Sequence, residues 1–302
     1  MTEPADCAKG QRDMTGFVHP EYLIETDWLA EHLNDVILLD CTTHLIPDPE
    51  TTYIVKPGRE DFERGHIPGA QFCDVSRDVS DTTQKLNFMR SAPDDFAAAM
   101  RRFGIGNGTR VVTYSTGNAW LATRVWWLLR EFGHDNAAVL NGGWQKWTAE
   151  HLAVETGPAI QRAAGDFVVR DVRNLMAGKD AVQAAIGDAS TCTLNALLPA
   201  QHSGSGGNSY GRPGRIAGSV NLPAAHLLDP ATNTFLPPDE LRRRLDAVGA
   251  LDRPVIAYCG GGIAASADAF VLTMLGHRDV KIYDASLSEW AKDDSLPMET
   301  GD

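Results

Sequence analysis

The sequence contains one pattern twice, and this internal repeat constrains the fold more than any other feature. The run Gly65-His66-Ile67-Pro68-Gly69-Ala70 corresponds to Gly214-Arg215-Ile216-Ala217-Gly218-Ser219, 149 positions later. Further matches follow in the same order at offsets of 143 to 145: Phe96, Met100, Phe103 and Gly104 with Leu241, Leu245, Val248 and Gly249; 112–115 with 256–259; Gly133-His134 with Gly276-His277; and Trp147 with Trp290. Ordered matches at slowly drifting offsets indicate two copies of one unit of about 140 residues.

Each copy alternates short apolar strands with amphipathic helices. In the first copy 36–39 is apolar throughout, as expected for a strand buried on both faces of a parallel sheet, and 191–194 is its weaker counterpart. Other predicted elements are a helix that starts at a capping box of Ser91 and Asp94 and stops at Gly104, strands at 111–114 and 255–258, and helices at 119–132 and 263–275. This order predicts an α/β fold in which each copy forms a small, mostly parallel sheet flanked by helices.

The repeat also predicts the domain boundaries. We expect an N-terminal domain at 18–156, a linker at 157–166 that contains glycine and proline, and a C-terminal domain at 167–302. About sixteen residues at the N-terminus are expected to form a frayed tail. The Gly/Ser-rich stretch 202–211 is expected to form a loop, which is either a mobile lid over a site or an exposed insertion.

Composition excludes several classes of protein. The 302 residues are 43% hydrophobic and 22% charged, as in ordinary globular proteins, which excludes a disordered chain, a collagen and a disulfide scaffold. The net charge of −13 disfavours a general role in binding nucleic acid or a membrane surface, because both are anionic. No apolar stretch reaches the roughly 18 residues of a membrane span and no signal-peptide pattern opens the chain, so a cytoplasmic location is predicted.

The five cysteines are an odd number at wide spacing, without a Cys-x-x-Cys pair or a zinc-type cluster of cysteine and histidine. Reduced thiols and no metal site are therefore predicted. The sequence also lacks a phosphate loop and a dinucleotide fingerprint, so no cofactor is predicted. Cys41 and Cys192 are expected to pack in strands, Cys73 in a half-buried connection and Cys7 on the tail.

The chemistry is expected at Cys259. This residue stands where the predicted strand 255–258 ends and the helix 263–275 begins, and ligands bind at the carboxyl ends of strands in open parallel sheets. The glycine run 260–262 allows successive backbone N–H groups to curl around the sulfur, and the N-terminus of the helix favours thiolate over thiol. From these residues alone, the alternative is a small buried cysteine beside a glycine-rich turn.

These motifs resemble the two-domain rhodanese-type sulfurtransferases. The resemblance rests on the repeat, the His-Ile-Pro-Gly-Ala turn at 66–70, the Leu-Asn-Gly-Gly-Trp run at 140–144 and a cysteine loop in the second copy only, and it covers 18–301. In that family the second domain carries the nucleophile, which fits Ser115 standing opposite Cys259 in the repeat. The resemblance therefore implies two tandem rhodanese-like domains, of which the first is non-catalytic.

The resemblance also implies a set of site residues. The family's active loop is a cysteine with five further residues, and its length is matched here. The implied catalytic residue is Cys259, and the implied substrate-binding loop residues are Gly260, Gly261, Gly262, Ile263 and Ala264. The position six after Cys259 holds Ala265, where cysteine phosphatases carry an arginine that clamps phosphate, so phosphate hydrolysis is disfavoured.

The departures from the family pattern concern the binding of the sulfur donor. The loop is nearer to the mercaptopyruvate type, Gly-Ser-Gly, than to the thiosulfate type, Arg-Lys, but it lacks the serine hydroxyl. Two arginines that bind anionic donors in the family are replaced by Leu197 and Gln201. The cations left near the site in sequence are Arg212 and Arg215, which either bind the donor or brace turns.

Two histidines are secondary candidates. His202 is a weaker candidate than either arginine for binding an anionic donor, and His66 is expected to brace its own turn.

The resemblance implies an enzyme that moves sulfane sulfur from a small donor, of the 3-mercaptopyruvate or thiosulfate type, to a thiol or cyanide acceptor through a Cys259 persulfide. The missing arginines leave an alternative, a catalytically weak rhodanese-like persulfide carrier or protein-interaction module. The identities of donor and acceptor and the oligomeric state stay open.

Overall fold

The computed structural model of the protein describes residues 16–206 and 210–301, which form two α/β units in succession. The strands of the first unit are β1 (Leu23–Ile24), β2 (Val36–Asp40), β3 (Thr43–Asp48), β4 (Thr52–Pro57), β5 (Gln71–Phe72), β6 (Arg110–Tyr114) and β7 (Ala137–Leu140). Its helices are α1 (Thr26–Glu31), α2 (Arg59–Arg64), α3 (Pro93–Arg102), α4 (Trp120–Glu131) and α5 (Gly143–Ala149).

The second unit has the same order of sheet strands and main helices. Its strands are β8 (Met176–Ala177), β9 (Cys192–Asn195), β10 (Arg215–Ile216), β11 (Val220–Asn221), β12 (Val255–Tyr258), β13 (Val280–Tyr283) and β14 (Met298–Glu299). Its helices are α6 (Lys179–Ala185), α7 (Pro199–Ser203), α8 (Pro238–Ala247), α9 (Ala265–Met274) and α10 (Ser286–Trp290). It differs from the first unit in that it has α7 in place of the β3–β4 hairpin and adds the short strands β10 and β14.

Each unit is built around a five-stranded parallel sheet. The strand orders are β1-β7-β6-β2-β5 and β11-β9-β12-β13-β8, which are the same order once the repeat is taken into account. The central strands β6 and β12 lie between apolar helical layers, and every residue of β12 is buried, which explains its continuous apolar sequence. The predicted fold class is confirmed.

Each unit also contains an additional segment, here called its excursion. It lies between the strand beside the central one (β2 or β9) and the Gly-x-Ile turn at 65–67 or 214–216. In the first unit the excursion is an antiparallel hairpin of β3 and β4, in which Pro47 pairs with Tyr53. In the second unit it consists of α7 and the loop that leads to Gly211. Residues 207–209 of the predicted 202–211 loop lie outside the described residues.

The two units meet across helices α4 and α9, which occupy equivalent places in the repeat. Thr123 and Ser266 are repeat counterparts, and their hydroxyl oxygens are 2.7 Å apart in a buried hydrogen bond. Beside them, the rings of Trp126 and Phe270 meet edge to face with centroids 4.7 Å apart. A pseudo-twofold axis therefore passes between the two helices.

Reciprocal contacts extend this symmetry to the ends of the strands. Arg90 of the first unit donates its N–H to Asp284 Oδ2 after β13 at 2.7 Å, and Phe235 of the second unit donates its N–H to Asn141 Oδ1 after β7 at 2.9 Å. In addition, the side-chain nitrogen of Asn233 in the second unit donates a hydrogen bond to the carbonyl oxygen of Gly117, which lies in the loop that corresponds to the cysteine loop. Each unit thus covers part of the other's carboxyl edge.

Local details correct one prediction. Helix α3 begins at Pro93 with Ala92 as its N-cap and no side-chain capping bond, and the Ser91 hydroxyl is buried without a partner among the described residues. The predicted capping box is therefore wrong, because Pro93 starts the helix two residues after the serine. The predicted stop is confirmed, since the helix ends at Arg102, Phe103 is its C-cap, and Gly104 follows with a φ of +79°.

The chain between the two sheets lies along the first unit. Gly165 donates its N–H to the carbonyl oxygen of Arg101 at 2.9 Å, and the Phe167 ring packs edge to face on Phe96. The segment 157–166, predicted as the linker, contains no helix or strand. The predicted N-terminal tail and Cys7 fall almost wholly outside the described residues.

Candidate active site

Cys259 lies at the carboxyl end of β12, the central strand of the second sheet. Its neighbours β9 and β13 flank it on both sides, and helix α9 begins six residues later. The residue is only 2% exposed. Gly262, with a φ of +72°, turns the intervening loop back towards the helix. The strand, loop and helix predicted around the cysteine are thus present.

The loop offers a group of backbone N–H donors around the sulfur. The Ser286 hydroxyl oxygen accepts the N–H groups of Cys259 and Gly262 at 3.1 and 3.2 Å and donates to the carbonyl oxygen of Tyr283 at 2.7 Å. None of the described residues accepts a hydrogen bond from the four other loop amides, those of Gly260, Gly261, Ile263 and Ala264. Unpaired amides at the start of a helix form an anion-binding concavity, which suits a thiolate.

Ser286 adopts a strained conformation to hold this loop. Its φ is +50°, in the left-handed region that a non-glycine residue rarely occupies. The next two residues bind the loop as well, since Leu287 donates its N–H to the carbonyl oxygen of Cys259 and Ser288 to that of Gly260. In the first unit the corresponding position is Gly143, with a φ of +52°. Sequence reasoning missed Ser286; its signal is a serine where the repeat has a glycine.

A buried ion pair from both units supports the loop from beneath. Arg124 of α4 is fully buried, and its Nη2 is 2.7 Å from Asp284 Oδ1. A Cβ on Gly262 would lie 3.2 Å from Arg124 Nη1 and 2.9 Å from the Asp284 carbonyl oxygen. The repeat counterpart of Arg124 is Ala267, so only the unit without the cysteine supplies this cation. Sequence reasoning missed it, although an arginine in an otherwise apolar helical run was the available signal.

Two tyrosines lie over the same loop, one from each excursion. A Cβ on Gly260 would overlap the ring of Tyr210, and a Cβ on Gly261 would lie 3.2 Å from the hydroxyl oxygen of Tyr53. The two rings meet edge to face with centroids 6.4 Å apart. Burial and the nearby charge of Cys259 raise the pKa of Tyr53 to about 12, and the same causes raise the pKa of Tyr210. Neither tyrosine was predicted to belong to the site.

The arginines predicted near the site are engaged with the backbone. The Arg212 guanidinium donates to carbonyl oxygens of the C-terminal segment, namely those of Ala291, Leu296, Trp290 and Asp293. Arg215 donates to the carbonyl oxygen of Gly301 and lies 3.4 Å from a carboxylate oxygen of Glu299. These contacts indicate bracing roles for both, which was the alternative considered for them from the sequence.

The side chains at the positions of the missing arginines are neutral. Leu197 is buried, and Gln201 lies half-buried on α7. His202 bonds through Nδ1 to the Asn195 side-chain nitrogen at 3.0 Å, while burial and then the charge of Arg215 lower its pKa to about 4. The imidazole is therefore uncharged at neutral pH and supplies no cation.

The remaining candidates have structural surroundings. His66 stacks on Phe62 and bonds through Nδ1 to its carbonyl oxygen at 2.7 Å, so it braces its turn as expected. Cys41, Cys73 and Cys192 are free thiols and buried, and Cys73 is more deeply buried than predicted. In the described part of the chain no three His, Cys, Asp or Glu side chains are grouped to hold a metal ion, and no helix there is long and apolar enough to cross a membrane.

Comparison with known proteins assigns the family. The rhodanese-like domain model matches residues 25–150 and 202–293. The chain therefore belongs to the rhodanese-like family. Within this family it is a sulfurtransferase built from two tandem domains.

Relatives along nearly the whole length support this assignment. The 3-mercaptopyruvate sulfurtransferase of Escherichia coli is 31% identical, with 92% of this chain and 98% of the relative covered. The thiosulfate/3-mercaptopyruvate sulfurtransferase 1 of Arabidopsis thaliana is 32% identical over 93% of this chain and 78% of its own. The sulfur carrier protein TtuD of Thermus thermophilus is 30% identical over 95% and 99%. The crystal structure of SseA from Escherichia coli matches with a TM-score of 0.77 at 29% identity, over 88% of this chain and 98% of that one.

Proposed function

We propose that Cys259 is the nucleophile of the sulfur transfer and that the amides of Gly260, Gly261, Ile263 and Ala264 hold the transferred sulfur. The observation that carries this proposal is a set of four loop N–H groups that have no acceptor in the described part of the chain and lie beside a thiol at the end of the central strand. A persulfide is an anion, and backbone donors fixed before the reaction stabilise it without reorganisation.

The reaction takes two displacement steps. The Cys259 thiolate attacks the outer sulfur of the donor; a sulfur–sulfur bond forms, and the donor's own bond to that sulfur breaks with its electron pair leaving on the donor. With thiosulfate the leaving group is sulfite, and with 3-mercaptopyruvate it is the pyruvate enolate, which then takes a proton. An acceptor thiolate or cyanide next attacks the outer sulfur and regenerates the Cys259 thiolate.

The donor is proposed to be a small molecule of the 3-mercaptopyruvate or thiosulfate type. Relatives that cover nearly the whole chain are named for these two donors. Of the two, 3-mercaptopyruvate is favoured, because its carbon skeleton offers contacts besides charge and the side chains at 197 and 201 are neutral. The acceptor is proposed to be a thiol or cyanide, since both attack sulfane sulfur.

The test is the intact mass of the reduced protein after incubation with each donor. The wild-type protein is expected to gain one sulfur atom, and Cys259→Ser is expected to gain none while keeping its fold, because Ser115 occupies the same place in the first unit. A circular dichroism spectrum and a melting curve like those of the wild type are the control for folding. Sulfur gained by the variant would overturn the assignment of the nucleophile.

A persulfide carrier with slow small-donor turnover is the second candidate. The neutral positions 197 and 201 favour it, as does the similarity to a protein named as a sulfur carrier. Comparison of the first turnover with later turnovers separates the two functions. An enzyme releases sulfur to cyanide repeatedly, whereas a carrier gains one sulfur atom and releases it only to a protein acceptor.

The cytoplasm is the proposed location. The thiols of Cys41, Cys73, Cys192 and Cys259 are all unpaired in the structure, and the proposed reaction needs the last of them reduced. Reducing compartments keep thiols in this state.

A further inference from the structure

The mouth of the Cys259 loop lies beneath the hairpin of β3 and β4, which comes from the first unit. Among the strands that the structure describes, β3 and β4 form a two-stranded sheet of their own, over the register from Thr43 with Pro57 to Asp48 with Thr52. The bond from Gly58 N–H to the carbonyl oxygen of Thr42 closes its base, and the Thr42 hydroxyl oxygen, which accepts the N–H of Thr116 at 2.9 Å, ties this base to the rest of the first unit. Tyr53 reaches from this hairpin to the loop of the other unit, so its position depends on the docking of both units.

The three loop glycines differ in what prevents a side chain. At Gly260 a Cβ would overlap the Tyr210 ring, and at Gly262 the positive φ and the Asp284 carbonyl oxygen, 2.9 Å away, both exclude one. Gly261 has no such φ, and of the atoms in 16–206 and 210–301 a Cβ there would meet the Tyr53 hydroxyl oxygen at 3.2 Å and the Ser288 hydroxyl oxygen at 3.8 Å. The space beside the middle glycine is therefore filled by the Tyr53 hydroxyl.

We propose that Tyr53 is a catalytic residue supplied by the first unit, whose hydroxyl donates a hydrogen bond to the sulfur anion at Cys259. It does so first to the thiolate and then to the outer sulfur of the persulfide. The assignment deepens the proposed function and rests on it for the persulfide step, whereas the bond to the thiolate can be tested without any donor.

The chemistry of the phenol fits this role. With its pKa raised by burial and by the charge of Cys259, Tyr53 keeps its proton at neutral pH and acts as a donor. A persulfide extends the anion by one sulfur–sulfur bond, about 2 Å, beyond the cysteine sulfur and towards the mouth of the loop. The phenol proton stays on oxygen throughout, so the displacement steps are unchanged in atoms and charge.

The test starts with Tyr53→Phe, which keeps the ring and removes the hydroxyl. The rate of Cys259 labelling by iodoacetamide is followed against pH by peptide mass spectrometry. A hydrogen bond to an anion contributes enough that the pH midpoint of labelling is expected to rise by about one unit or more. Persulfide formation from 3-mercaptopyruvate is expected to slow by about ten- to a hundredfold.

Rescue by Gly261→Ser makes the test specific to the hydroxyl. In Tyr53→Phe the serine has room, and its hydroxyl replaces the lost donor beside the loop, so both the labelling midpoint and the rate are expected to return towards wild type. In the wild-type background the same serine crowds Tyr53 and is expected to bring no gain. Tyr22→Phe is the control, since the hydroxyl of Tyr22 contacts Arg130 on the first unit.

Each outcome decides the assignment. An unchanged midpoint in Tyr53→Phe, an equal shift in Tyr22→Phe, or no recovery in the double variant would overturn the role of the hydroxyl. Failure of the proposed function is distinguishable: the wild-type protein would gain no sulfur from either donor, while the midpoint of Cys259 labelling still depended on Tyr53.

Discussion

The residues around Cys259 form a site made mostly of neutral groups. Backbone amides, the Ser286 hydroxyl and the phenols of Tyr53 and Tyr210 surround the loop, and the nearby Arg124 is already paired with Asp284. Such a site suits the proposed persulfide, because amides stabilise a compact anion. It offers little to a donor that depends on its own negative charge for binding.

Thiosulfate is expected to be a poor donor for this reason. Two charged hydrogen bonds contribute about 1.5 to 3 kcal/mol each, so their absence at positions 197 and 201 is expected to weaken an anionic donor by about two to four powers of ten. Leu197→Arg is expected to lower the KM for thiosulfate by about tenfold or more. Steady-state assays with cyanide as acceptor measure the effect.

Leu198→Arg is the matched control, because Leu198 is the adjacent residue and is half exposed. It adds the same charge outside the buried position and is expected to leave the KM nearly unchanged. Efficient turnover of thiosulfate by the wild-type protein would show that another cation binds the donor, and the functional reading of Leu197 and Gln201 would then fail.

For single residues, the sequence predicts those parts of the site whose members are adjacent in the chain. Cys259 and its glycines were found because a buried strand, a cysteine and a glycine run are adjacent in the chain. Tyr53 and Arg124 lie 206 and 135 positions earlier, and only the docking of the two units brings them to the loop. The roles of Arg212 and Arg215 were left open because proximity in sequence does not reveal which carbonyl oxygens a guanidinium will meet.

Among the elements, helix α9 is the most completely enclosed. All of its residues are buried between the second sheet and the first unit, which explains why its apolar residues are not confined to one stripe. This helix also contains one acidic residue, Asp268, whose two carboxylate oxygens are buried without a partner among the described residues. Burial raises the pKa of Asp268 well above its ordinary value.

Asp268→Asn is therefore expected to stabilise the protein at neutral pH. Because burial raises the pKa of Asp268, the folded state keeps the proton to a higher pH than the unfolded state does, so wild-type stability is expected to fall as pH rises above the unfolded pKa, about 4. The advantage of the variant is expected to grow by about 1.4 kcal/mol per pH unit until the folded pKa is reached, and to vanish below about pH 4. Denaturation curves between pH 4 and pH 8 measure it.

Asp246→Asn, on the exposed side of α8, is the control and is expected to show no such trend. An advantage of Asp268→Asn that did not change with pH would mean that the carboxyl is ionised in the folded protein.

The strands and helices could be predicted from the sequence better than the contacts between the two units. Strands and helices of the repeat followed from apolar runs and helical spacing, which depend on neighbours in the chain. The prediction for the start of α3 is wrong because Ser91 and Asp94 have the spacing of a capping box, whereas the helix begins at Pro93 with Ala92 as its N-cap and no side-chain capping bond. The hairpin of β3 and β4 was not predicted, since its sequence has no simple alternation and its place depends on the other unit.

For the whole molecule, the pseudo-twofold arrangement joins two units that differ at the loop after the central strand, where one has Ser115 and the other Cys259. The hydrogen bond between Thr123 and Ser266 marks the axis, whereas the pair of Arg124 and Asp284 breaks the symmetry on the side of the cysteine. A cation that is buried at an interface and paired across it couples the docking of the units to the shape of the active loop.

Arg124→Met is expected to cost about 3 to 5 kcal/mol of the free energy of unfolding, because it leaves the Asp284 carboxylate buried without its ion pair. Adding Asp284→Asn is expected to restore part of the loss. Chemical denaturation measures both, and persulfide formation is expected to slow as the support of Gly262 is lost.

Arg102→Ala is the comparison, since it removes an exposed pair with Asp78 and is expected to cost less than about 1 kcal/mol. If the two arginine variants lost the same stability, the interface pair would contribute no more than a surface pair.

The hydrogen bond from the Asn233 side chain to the carbonyl oxygen of Gly117 has a consequence for which segments of the chain can be shortened. Through this bond the second unit covers the 115–119 loop of the first unit, and through Tyr53 the first unit covers the Cys259 loop of the second. A deletion in the segment 228–237, which carries Asn233, or in the hairpin of β3 and β4, which carries Tyr53, would uncover a loop of the opposite unit. Shortening either segment is therefore expected to disturb both units.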